Sequence, residues 1–335
     1  MKASGADLAA QRPDGETLHA RFADDVRHYL AQPRRQLPSR YLYDPLGSAL
    51  FDSICRLPWY EVTRAETALL GRRGQDILAA VEPLAHIIEL GSGNGDKLAV
   101  LLAAKRSRTP PLQIHLVDIS RAALETATPA LSAFDGVQVV SHQAPYEIGL
   151  ERAMRGTAPG GRTLALFLGS NLGNFDPPAA HALLRHISGT LRHGDACLLG
   201  TDMVKSEADL LRAYDDPLGV TAAFNRNLLV RINRELHADF DLAGFEHRAI
   251  WNAGESRIEM HLVSTRRQRV YVRDASLEVP FEEGETIWTE SSYKYRPERI
   301  VAMLQQCGFD DLAQWVDDDA GFALTLVEVA PRETS

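Results

Sequence analysis

Cysteine is scarce in this sequence, since Cys55, Cys197 and Cys307 lie far apart and no two of them form a Cys-x-x-Cys pair. Neither a disulfide framework nor a zinc knuckle is therefore indicated. No apolar run reaches the length of about 18 residues that a membrane-spanning helix needs. Residues 1–14 are polar and lack the apolar centre of a secretory signal. We therefore expect a cytoplasmic protein that has no membrane partner.

An excess of basic charge is also missing, because 36 lysines and arginines stand against 45 acidic residues, for a net charge of −9. Binding to nucleic acid requires a basic surface that neutralises phosphates, so we expect no nucleic acid partner. Two oxygen-rich stretches, His237–Asp241 and Asp317–Asp319, do not follow the pattern of a metal-binding loop. We accordingly expect no metal site.

Apolar residues make up 45% of the 335 positions and charged residues 24%, which excludes a disordered chain and fits one large domain or two. Short apolar runs that end at glycine or aspartate alternate with amphipathic helical segments. The runs are 86–90, 114–117, 137–140, 164–168 and 196–200. Such alternation predicts an α/β fold with a doubly wound, mostly parallel sheet that helices cover on both faces.

The alternation of strands and helices stops after Asp202. A helical pattern then continues to about residue 236, and residues 245–293 show the two-residue alternation of antiparallel strands. A helix that begins at Pro297 and a closing strand at Phe322–Val327 resume the first pattern. We therefore predict a core formed by residues 15–204 and 294–335, with an N-terminal helical segment, and an α+β insertion at 205–293.

A glycine-rich loop, Glu89–Gly95, lies between the first strand and the next helix. Its Gly91, Gly93 and Gly95 follow G-x-G-x-G, one residue shorter than the G-x-G-x-x-G of dinucleotide sites. The acid two positions before the first glycine, Glu89, disfavours a pyrophosphate and suits a cationic ligand such as S-adenosylmethionine. Asp118, at the end of the second strand, is placed to bind a ribose diol. A purely structural turn and a plain strand-end cap are the alternatives for the loop and the aspartate.

Several longer motifs occur in a fixed order along the chain. They are Tyr43–Ser48, Arg56–Tyr60, Thr63–Glu66, Phe167–Asn174, Ala213–Asp216, Phe224–Asn227 and Thr289–Lys294. Together they resemble the histidine-specific Nα-methyltransferases of ergothioneine biosynthesis, from about residue 20 to the C-terminus. The resemblance implies a class I methyltransferase core with an inserted substrate-binding domain. It also implies the transfer of three methyl groups from S-adenosylmethionine to the α-amine of L-histidine, giving hercynine. We expect the protein to be a monomer.

The resemblance assigns roles to side chains around the amino-acid end of the substrate. Tyr60, Asn174 and Tyr214 are expected to hold the region of the carboxylate and the amine. Tyr43 is expected beside the amine as the catalytic residue, acting as a hydrogen-bond partner or a proton relay. Phe51 is expected to form part of the pocket wall. Without the resemblance, tyrosines in these positions would be interpreted as core residues.

The resemblance assigns Glu290 and Ser292 to the imidazole. They are two residues apart on a predicted strand, so both face the same side. A carboxylate and a hydroxyl can satisfy the two ring nitrogens of an imidazole. By the same alternation, Trp288 is expected on this face as a pocket wall, whereas Met260 is expected in the core. A solvated strand face is the alternative for the Glu290 and Ser292 pair.

For the methyl donor, the resemblance implies Gly91, Lys97 and Asp118. Lys97 could otherwise be an ordinary surface lysine. The chain departs from the family pattern at Ala144–Tyr146, where Gly-Asp-Phe is common and the aspartate contacts adenine. It also departs at Asn171–Leu172, where Thr-Ile is usual.

Three alternatives stay open, and the departures bear on the first of them. The first is the same chemistry on another amino acid or small amine. The second is a non-catalytic sensor of adenosyl ligands. The third is a nicotinamide-dependent oxidoreductase, against which the short glycine loop argues.

Overall fold

The computed structural model describes residues 15–105, 111–157 and 160–331. The strands of this part of the chain are β1 (Leu84–Leu90), β2 (Leu112–Asp118), β3 (Val137–Gln143), β4 (Arg162–Phe167), β5 (Ala196–Asp202), β6 (Phe245–Asn252), β7 (Arg257–Ser264), β8 (Gln268–Val272), β9 (Leu277–Phe281), β10 (Thr286–Tyr293), β11 (Phe309–Asp317) and β12 (Phe322–Val329). The helices are α1 (Gly15–Leu30), α2 (Pro45–Ile54), α3 (Val62–Ala80), α4 (Asp96–Ala103), α5 (Arg121–Ser132), α6 (Tyr146–Gly156), α7 (Pro177–Thr190), α8 (Glu207–Tyr214), α9 (Val220–Leu236) and α10 (Pro297–Gln306). Short 3-10 helices lie at Ser39–Leu42, Asn171–Asn174 and Leu242–Gly244.

The central sheet has seven strands in the order β3-β2-β1-β4-β5-β12-β11. The first five strands pair in parallel, while β12 runs antiparallel to both β5 and β11. The strand order reverses between β1 and β4. In sheets of this kind, ligands bind beyond the carboxyl ends of the strands at such a reversal. The doubly wound, mostly parallel sheet is therefore confirmed, and its topology indicates where a site should lie.

The two faces of the sheet belong to two different hydrophobic clusters. Ile87 of β1 packs in one cluster and its neighbour Ile88 in the other, as do Leu164 and Ala165 of β4. Helices α3, α4 and α5 contribute to the first cluster, and α6, α7 and α10 to the second. Because side chains alternate along a strand, apolar residues at every position imply burial on both faces. This is why these strands appear in the sequence as continuous apolar runs.

The chain between β5 and α10 forms α8, α9 and two separate antiparallel sheets. One has the order β10-β7-β6, and the other pairs β8 with β9. Ser206 caps α8, since its side chain accepts a hydrogen bond from the Asp209 amide at the start of the helix. The division into a core and an insertion at 205–293 stays a prediction.

Strand β11 was not anticipated from the sequence. It lies at the edge of the central sheet, and most of its residues are exposed or half-buried. Its pairing with β12 is also irregular between Asp311 and Ala313. An edge strand with one covered face and a broken register lacks both the continuous apolar run and the regular alternation that mark a strand.

Candidate active site

A pocket with an empty volume of about 480 Å³, its open mouth included, lies beyond the carboxyl ends of β4 and β5. The segment before and within α2, the loop before α3, helices α8 and α9, and strands β7 and β10 close it. All the side chains predicted to bind the substrate line this one pocket: Tyr43, Phe51, Tyr60, Asn174, Tyr214, Glu290 and Ser292. Sequence reasoning did not assign the other lining residues to it: Ile54, Gly169, Ser170, Asn171, Ala213, Thr221, Phe224 and Met260.

Aromatic rings form one end of the pocket. The Tyr43 ring lies 5.6 Å from that of Phe51 and 5.5 Å from that of Phe224, both edge-to-face. The Tyr60 ring lies 6.0 Å from that of Tyr214. These separations are typical of stabilising aromatic pairs. Phe224 comes from α9 and was missed as a wall residue, because its position on a helix face fits an ordinary core residue equally well.

Helix α2 is held in place at its first turn. Asp44 caps the helix, because its side chain accepts a hydrogen bond from the Gly47 amide at 2.7 Å. The same carboxylate accepts hydrogen bonds from Asn227 at 2.7 Å and Arg234 at 2.8 Å, both on α9. The cap therefore ties the helix that carries Phe51 to the helix that carries Phe224.

Two polar side chains form a polar end of the pocket, next to the hydroxyl groups of Tyr43 and Tyr214. Glu290 and Ser292 are both buried on β10. Burial raises the pKa of Glu290 to about 7, against the opposing effects of Lys294 and of a hydrogen bond from Tyr43. The Ser292 and Tyr214 hydroxyl oxygens lie 2.8 Å apart. This end of the pocket presents a carboxyl group and a hydroxyl group within an otherwise closed environment.

The expected place of Trp288 beside Glu290 and Ser292 is wrong. The pairing of β10 with β7 shifts register between Trp288 and Glu290, so the simple alternation of faces fails there. The Trp288 indole stacks on His261 instead, with ring centres 6.1 Å apart, and donates a hydrogen bond to the Glu290 carbonyl oxygen. Met260, expected in the core, is buried and also lines the pocket.

The loop that carries Asn174 follows β4 and packs against β10. A side chain at Gly173 would place its Cβ 2.7 Å from the Tyr293 carbonyl oxygen, so only glycine permits this approach. Ser170, with φ +57°, turns the chain in the left-handed region, and its hydroxyl accepts a hydrogen bond from the Asp202 amide. These contacts hold Asn171 and Asn174 at the pocket wall.

Next to the pocket, beyond the ends of β1 and β2, the chain forms the glycine turn Gly91–Gly95, and we call the space in front of this turn the donor cleft. Gly91, Gly93 and Gly95 have φ values of +76°, +51° and +82°, which L side chains rarely adopt. A Cβ on Gly95 would come within 3.1 Å of Ala127 and Leu131. A Cβ on Gly93 would meet no protein atom within 4 Å, so this part of the loop faces open space in which a ligand could lie.

Some buried polar atoms around this loop form no hydrogen bond within the described protein. Among the described residues, a buried carboxyl oxygen of Glu89 and the buried Ser92 hydroxyl have no hydrogen-bond partner. Burial raises the pKa of Glu89 to about 8, with Lys97 opposing the shift. Asp118 accepts hydrogen bonds from the Gly93 and Ser120 amides, and burial raises the pKa of its carboxyl group. Two carboxyl groups beside a glycine turn suit the cationic, phosphate-free S-adenosylmethionine, because a bound positive charge favours their ionised form.

Lys97 lies at the floor between the cleft and the pocket, where it forms an ion pair. Its ammonium group is 2.6 Å from the Glu66 carboxylate, which also accepts hydrogen bonds from the Gly169 amide. Although burial opposes the shift, Glu66 raises the pKa of Lys97. A Cβ on Gly200 would overlap the Glu66 carboxylate, so a glycine in β5 makes room for it. Glu66 was not predicted, because its partners are distant in sequence.

The cleft and the pocket meet at Asn171. Its side-chain nitrogen, Nδ2, lies 2.8 Å from the position that a Cβ of Gly91 would take, and Asn171 also lines the pocket. Tyr146, from the stretch in which the chain departs from the family pattern, approaches the same Gly91 position at 3.3 Å. A group bound at the glycine loop would therefore face the pocket directly.

Among the helices of the described residues, none combines the length and the apolar character that a membrane-spanning segment needs. Within residues 15–105, 111–157 and 160–331, no group of His, Cys, Asp or Glu side chains is arranged to hold a metal ion.

The strand order, the glycine turn after β1, the aspartate after β2 and the adjoining pocket define a class I S-adenosylmethionine-dependent methyltransferase. Comparison with protein families gives the particular group. The family described as histidine-specific, S-adenosylmethionine-dependent methyltransferase matches residues 22–329, and the chain belongs to it. This confirms the resemblance found in the sequence, and it argues against a nicotinamide-dependent enzyme.

Individual relatives agree with the family. The chain is 42% identical over 309 residues to histidine N-alpha-methyltransferase of Mycobacterium tuberculosis, covering 92% of this chain and 95% of the relative. It is 43% identical over 304 residues to the protein of the same name from Mycolicibacterium smegmatis, covering 90% and 93%. It is also 28% identical to the N-methyltransferase fsqC of Aspergillus fumigatus, covering 94% and 90%.

Proposed function

We propose that this chain transfers three methyl groups from S-adenosylmethionine to the α-amine of L-histidine, giving hercynine. One observation carries the proposal. A buried carboxyl group and a buried hydroxyl group, on Glu290 and Ser292, lie at the end of a pocket that adjoins the glycine-loop cleft. A pocket for an apolar or acidic amino acid would have no use for this pair.

The pocket accommodates histidine in one direction. The imidazole lies between Glu290 and Ser292, because a carboxylate accepts an N–H and a hydroxyl serves the second ring nitrogen. The α-carboxylate lies toward Tyr60 and Asn174, and Tyr214 completes the wall between the two ends. This leaves the α-amine beside Tyr43, facing the cleft.

In the cleft, Gly91, Gly93, Gly95 and Asp118 hold the methyl donor, and Lys97 supports the floor through its ion pair with Glu66. When bound, the donor supplies a methyl carbon that its sulfonium has already activated. The work left to the protein is to align the amine lone pair with that carbon.

Tyr43 serves the amine as a hydrogen-bond partner. Burial raises the pKa of Tyr43 well above its usual value near 10, so its hydroxyl stays protonated. A neighbouring positive charge and partial desolvation lower the pKa of the substrate ammonium. The amine therefore reaches its neutral, nucleophilic form without a strong dedicated base.

Successive methyl transfers need space for a growing cation. The aromatic faces of Tyr43, Phe51, Tyr60 and Phe224 enclose the region of the amine. Aromatic rings attract a quaternary ammonium group through their negative faces. The same walls can hold the amine and its trimethylated product.

Mass spectrometry of competition reactions tests the proposal. Purified protein is incubated with S-adenosylmethionine and an equimolar mixture of the twenty amino acids, and fragment ions locate the added methyl groups. We expect trimethylated histidine alone, with all methyl groups on the α-nitrogen. Methylation of another amino acid or of the ring would overturn the substrate assignment. Absence of any product despite bound donor would indicate a sensor.

The remaining expectations stay proposals. They are the division into a core and a substrate-binding insertion at 205–293, a monomeric state, a cytoplasmic location and the absence of a nucleic acid partner. The acidic net charge supports the last of these, and sedimentation analysis of the purified chain tests the monomer.

A further inference from the structure

A buried lysine stands behind the polar end of the pocket. The side chain of Lys294 is fully inaccessible, and its ammonium group lies 2.8 Å from the Asp202 carboxylate at the end of β5. It also lies 2.8 Å from the Tyr214 hydroxyl oxygen and 2.8 Å from the Ser292 hydroxyl oxygen. The Tyr214 and Ser292 oxygens are themselves 2.8 Å apart. The lysine and the two hydroxyl groups thus form a closed triangle beside the pocket.

The hydrogen atoms of this triangle can be counted. An ammonium group has three N–H donors and no acceptor. Lys294 donates them to Asp202, Tyr214 and Ser292. The contact between the hydroxyl oxygens uses one of their two hydrogens, because either atom can be the donor to the other. One hydroxyl hydrogen therefore remains, and only one of these two residues can donate to a molecule in the pocket.

The charge of Lys294 determines which protonation state of the substrate imidazole can bind next to Ser292. An imidazolium ion would have to donate an N–H to the Ser292 oxygen, which already accepts from the Lys294 ammonium at 2.8 Å. Two cationic donors on one oxygen, in a buried site of low effective dielectric, repel each other. A neutral imidazole instead offers a bare nitrogen that accepts the remaining hydroxyl hydrogen, while its single N–H meets Glu290.

We propose that Lys294 is a positioning residue that orients the Tyr214 and Ser292 hydroxyls. Tyr214 then donates to Ser292, Ser292 donates to a bare imidazole nitrogen, and the pocket selects neutral histidine with its N–H on Glu290. This inference rests on the proposed function. It gives Tyr214 a role in orienting Ser292, in place of the contact to the substrate carboxylate that the sequence suggested.

A purely structural role for Lys294 would be to join β5 to the strand β10. A matched control exists for that role, because Lys205 also pairs with Asp202, at 2.9 Å, without touching either hydroxyl. Replacing Lys294 alone would leave the buried Asp202 carboxylate with only the half-buried Lys205 to offset its charge, and the loss of one partner from a buried ion pair is destabilising. The test variant therefore removes both charges of the pair, as Asp202→Asn with Lys294→Met, and Lys205→Met is the control.

Nitrogen NMR of bound histidine tests the proposal. Histidine labelled with ¹⁵N in the ring is added to the protein together with S-adenosylhomocysteine, near pH 6.5, where a free imidazole is about half protonated. In the wild type and in Lys205→Met we expect one protonated and one bare ring nitrogen. In the double variant we expect mixed tautomers or an added proton. An imidazolium in the wild type, or an unchanged single tautomer in the double variant, would overturn the inference.

Kinetics give a second readout. The double variant should raise the KM for histidine about tenfold, the effect of one lost hydrogen bond, while kcat changes less than about threefold. Equal loss in kcat and in donor binding would show a general structural role instead. Failure of the wild type to bind histidine at all would overturn the proposed function as well, whereas binding as an imidazolium would overturn this inference alone.

Discussion

Glu290 and Ser292, two residues apart on β10, give the pocket its polar end. Their burial matters as much as their chemistry. A carboxylate in water is already hydrogen-bonded and discriminates little, whereas a buried one loses a hydrogen bond if the wrong ligand is present. At the scale of the residue, substrate choice depends on this buried pair and on Lys294 behind it.

Replacing Glu290 by glutamine tests this view. The substitution preserves size but replaces a charged acceptor, so we expect the Kd for histidine to rise at least about tenfold. The Kd for S-adenosylhomocysteine should stay unchanged, because Glu290 does not border the glycine loop. Calorimetry with each ligand separates the two effects. Glu278→Gln, on the exposed face of β9, is the matched control, and unchanged histidine affinity in Glu290→Gln would remove the residue from the imidazole site.

Much of the site could be predicted at this scale, because the chemical types of its residues occur in recognisable motifs. The neighbours of those residues could not. Glu66 and Lys294 act through partners about 30 to 100 positions away in the chain, and no local pattern encodes such pairing. Trp288 was misplaced for a different reason, because a local irregularity in β10 changes which side chains share a face.

At the scale of the element, the turn between β1 and α4 forms the donor cleft. Its three glycines differ in what surrounds them. Gly91 and Gly95 are crowded by protein atoms, whereas Gly93 faces open space. The sequence predicted the turn and its ligand class, but only the structure shows which of the three glycines faces open space.

Gly93→Ala should separate ligand binding from folding. The new methyl group meets no protein atom. The cost to folding is therefore limited to the backbone strain of a side chain at φ +51°, about 1 kcal/mol. The methyl group would nevertheless occupy the space of the donor, and the Kd for S-adenosylmethionine should rise about tenfold or more. Gly136→Ala, with φ +67° and equally open surroundings, carries the same strain far from the cleft. Equal donor affinities in the two variants would contradict the assignment of the loop.

The cap of α2 is a second element on which the pocket depends. Asp44→Ala removes acceptors for the Gly47 amide, Asn227 and Arg234. We expect the free energy of unfolding to fall by about 2–4 kcal/mol and the KM for histidine to rise as Phe51 loses its anchor. Asp24→Ala, which breaks an exposed pair with Arg27, should change stability by less than about 1 kcal/mol. Denaturant unfolding measures both, and equal values would show that the cap has no special role.

At the scale of the whole molecule, the active site lies where the N-terminal segment, the central sheet and the antiparallel elements meet. The doubly wound sheet was predictable because its buried strands are continuous apolar runs. The edge strand β11 was not, because exposure leaves it few apolar residues. Folding brings these parts together and buries carboxyl groups. The free energy of unfolding of the whole molecule therefore depends on the titration of these groups.

Stability should therefore depend on pH through Glu290. Burial raises its pKa to about 7 from an ordinary value of 4.5. Between these values the folded protein holds a proton that the unfolded chain has released, so the free energy of unfolding falls as pH rises. The contribution of Glu290 is about 3 kcal/mol across this window. Urea unfolding from pH 4.5 to pH 8 should show a weaker decline in Glu290→Gln, and identical slopes would show that Glu290 does not titrate in this range.

The most direct test of the account is a crystal structure of the complex with histidine and S-adenosylhomocysteine. We expect the imidazole between Glu290 and Ser292, the α-nitrogen beside Tyr43, and the donor sulfur across the Gly91–Gly95 loop in line with that nitrogen. An imidazole pointing toward the glycine loop, or an α-nitrogen bound between Glu290 and Ser292 in place of the ring, would contradict this arrangement.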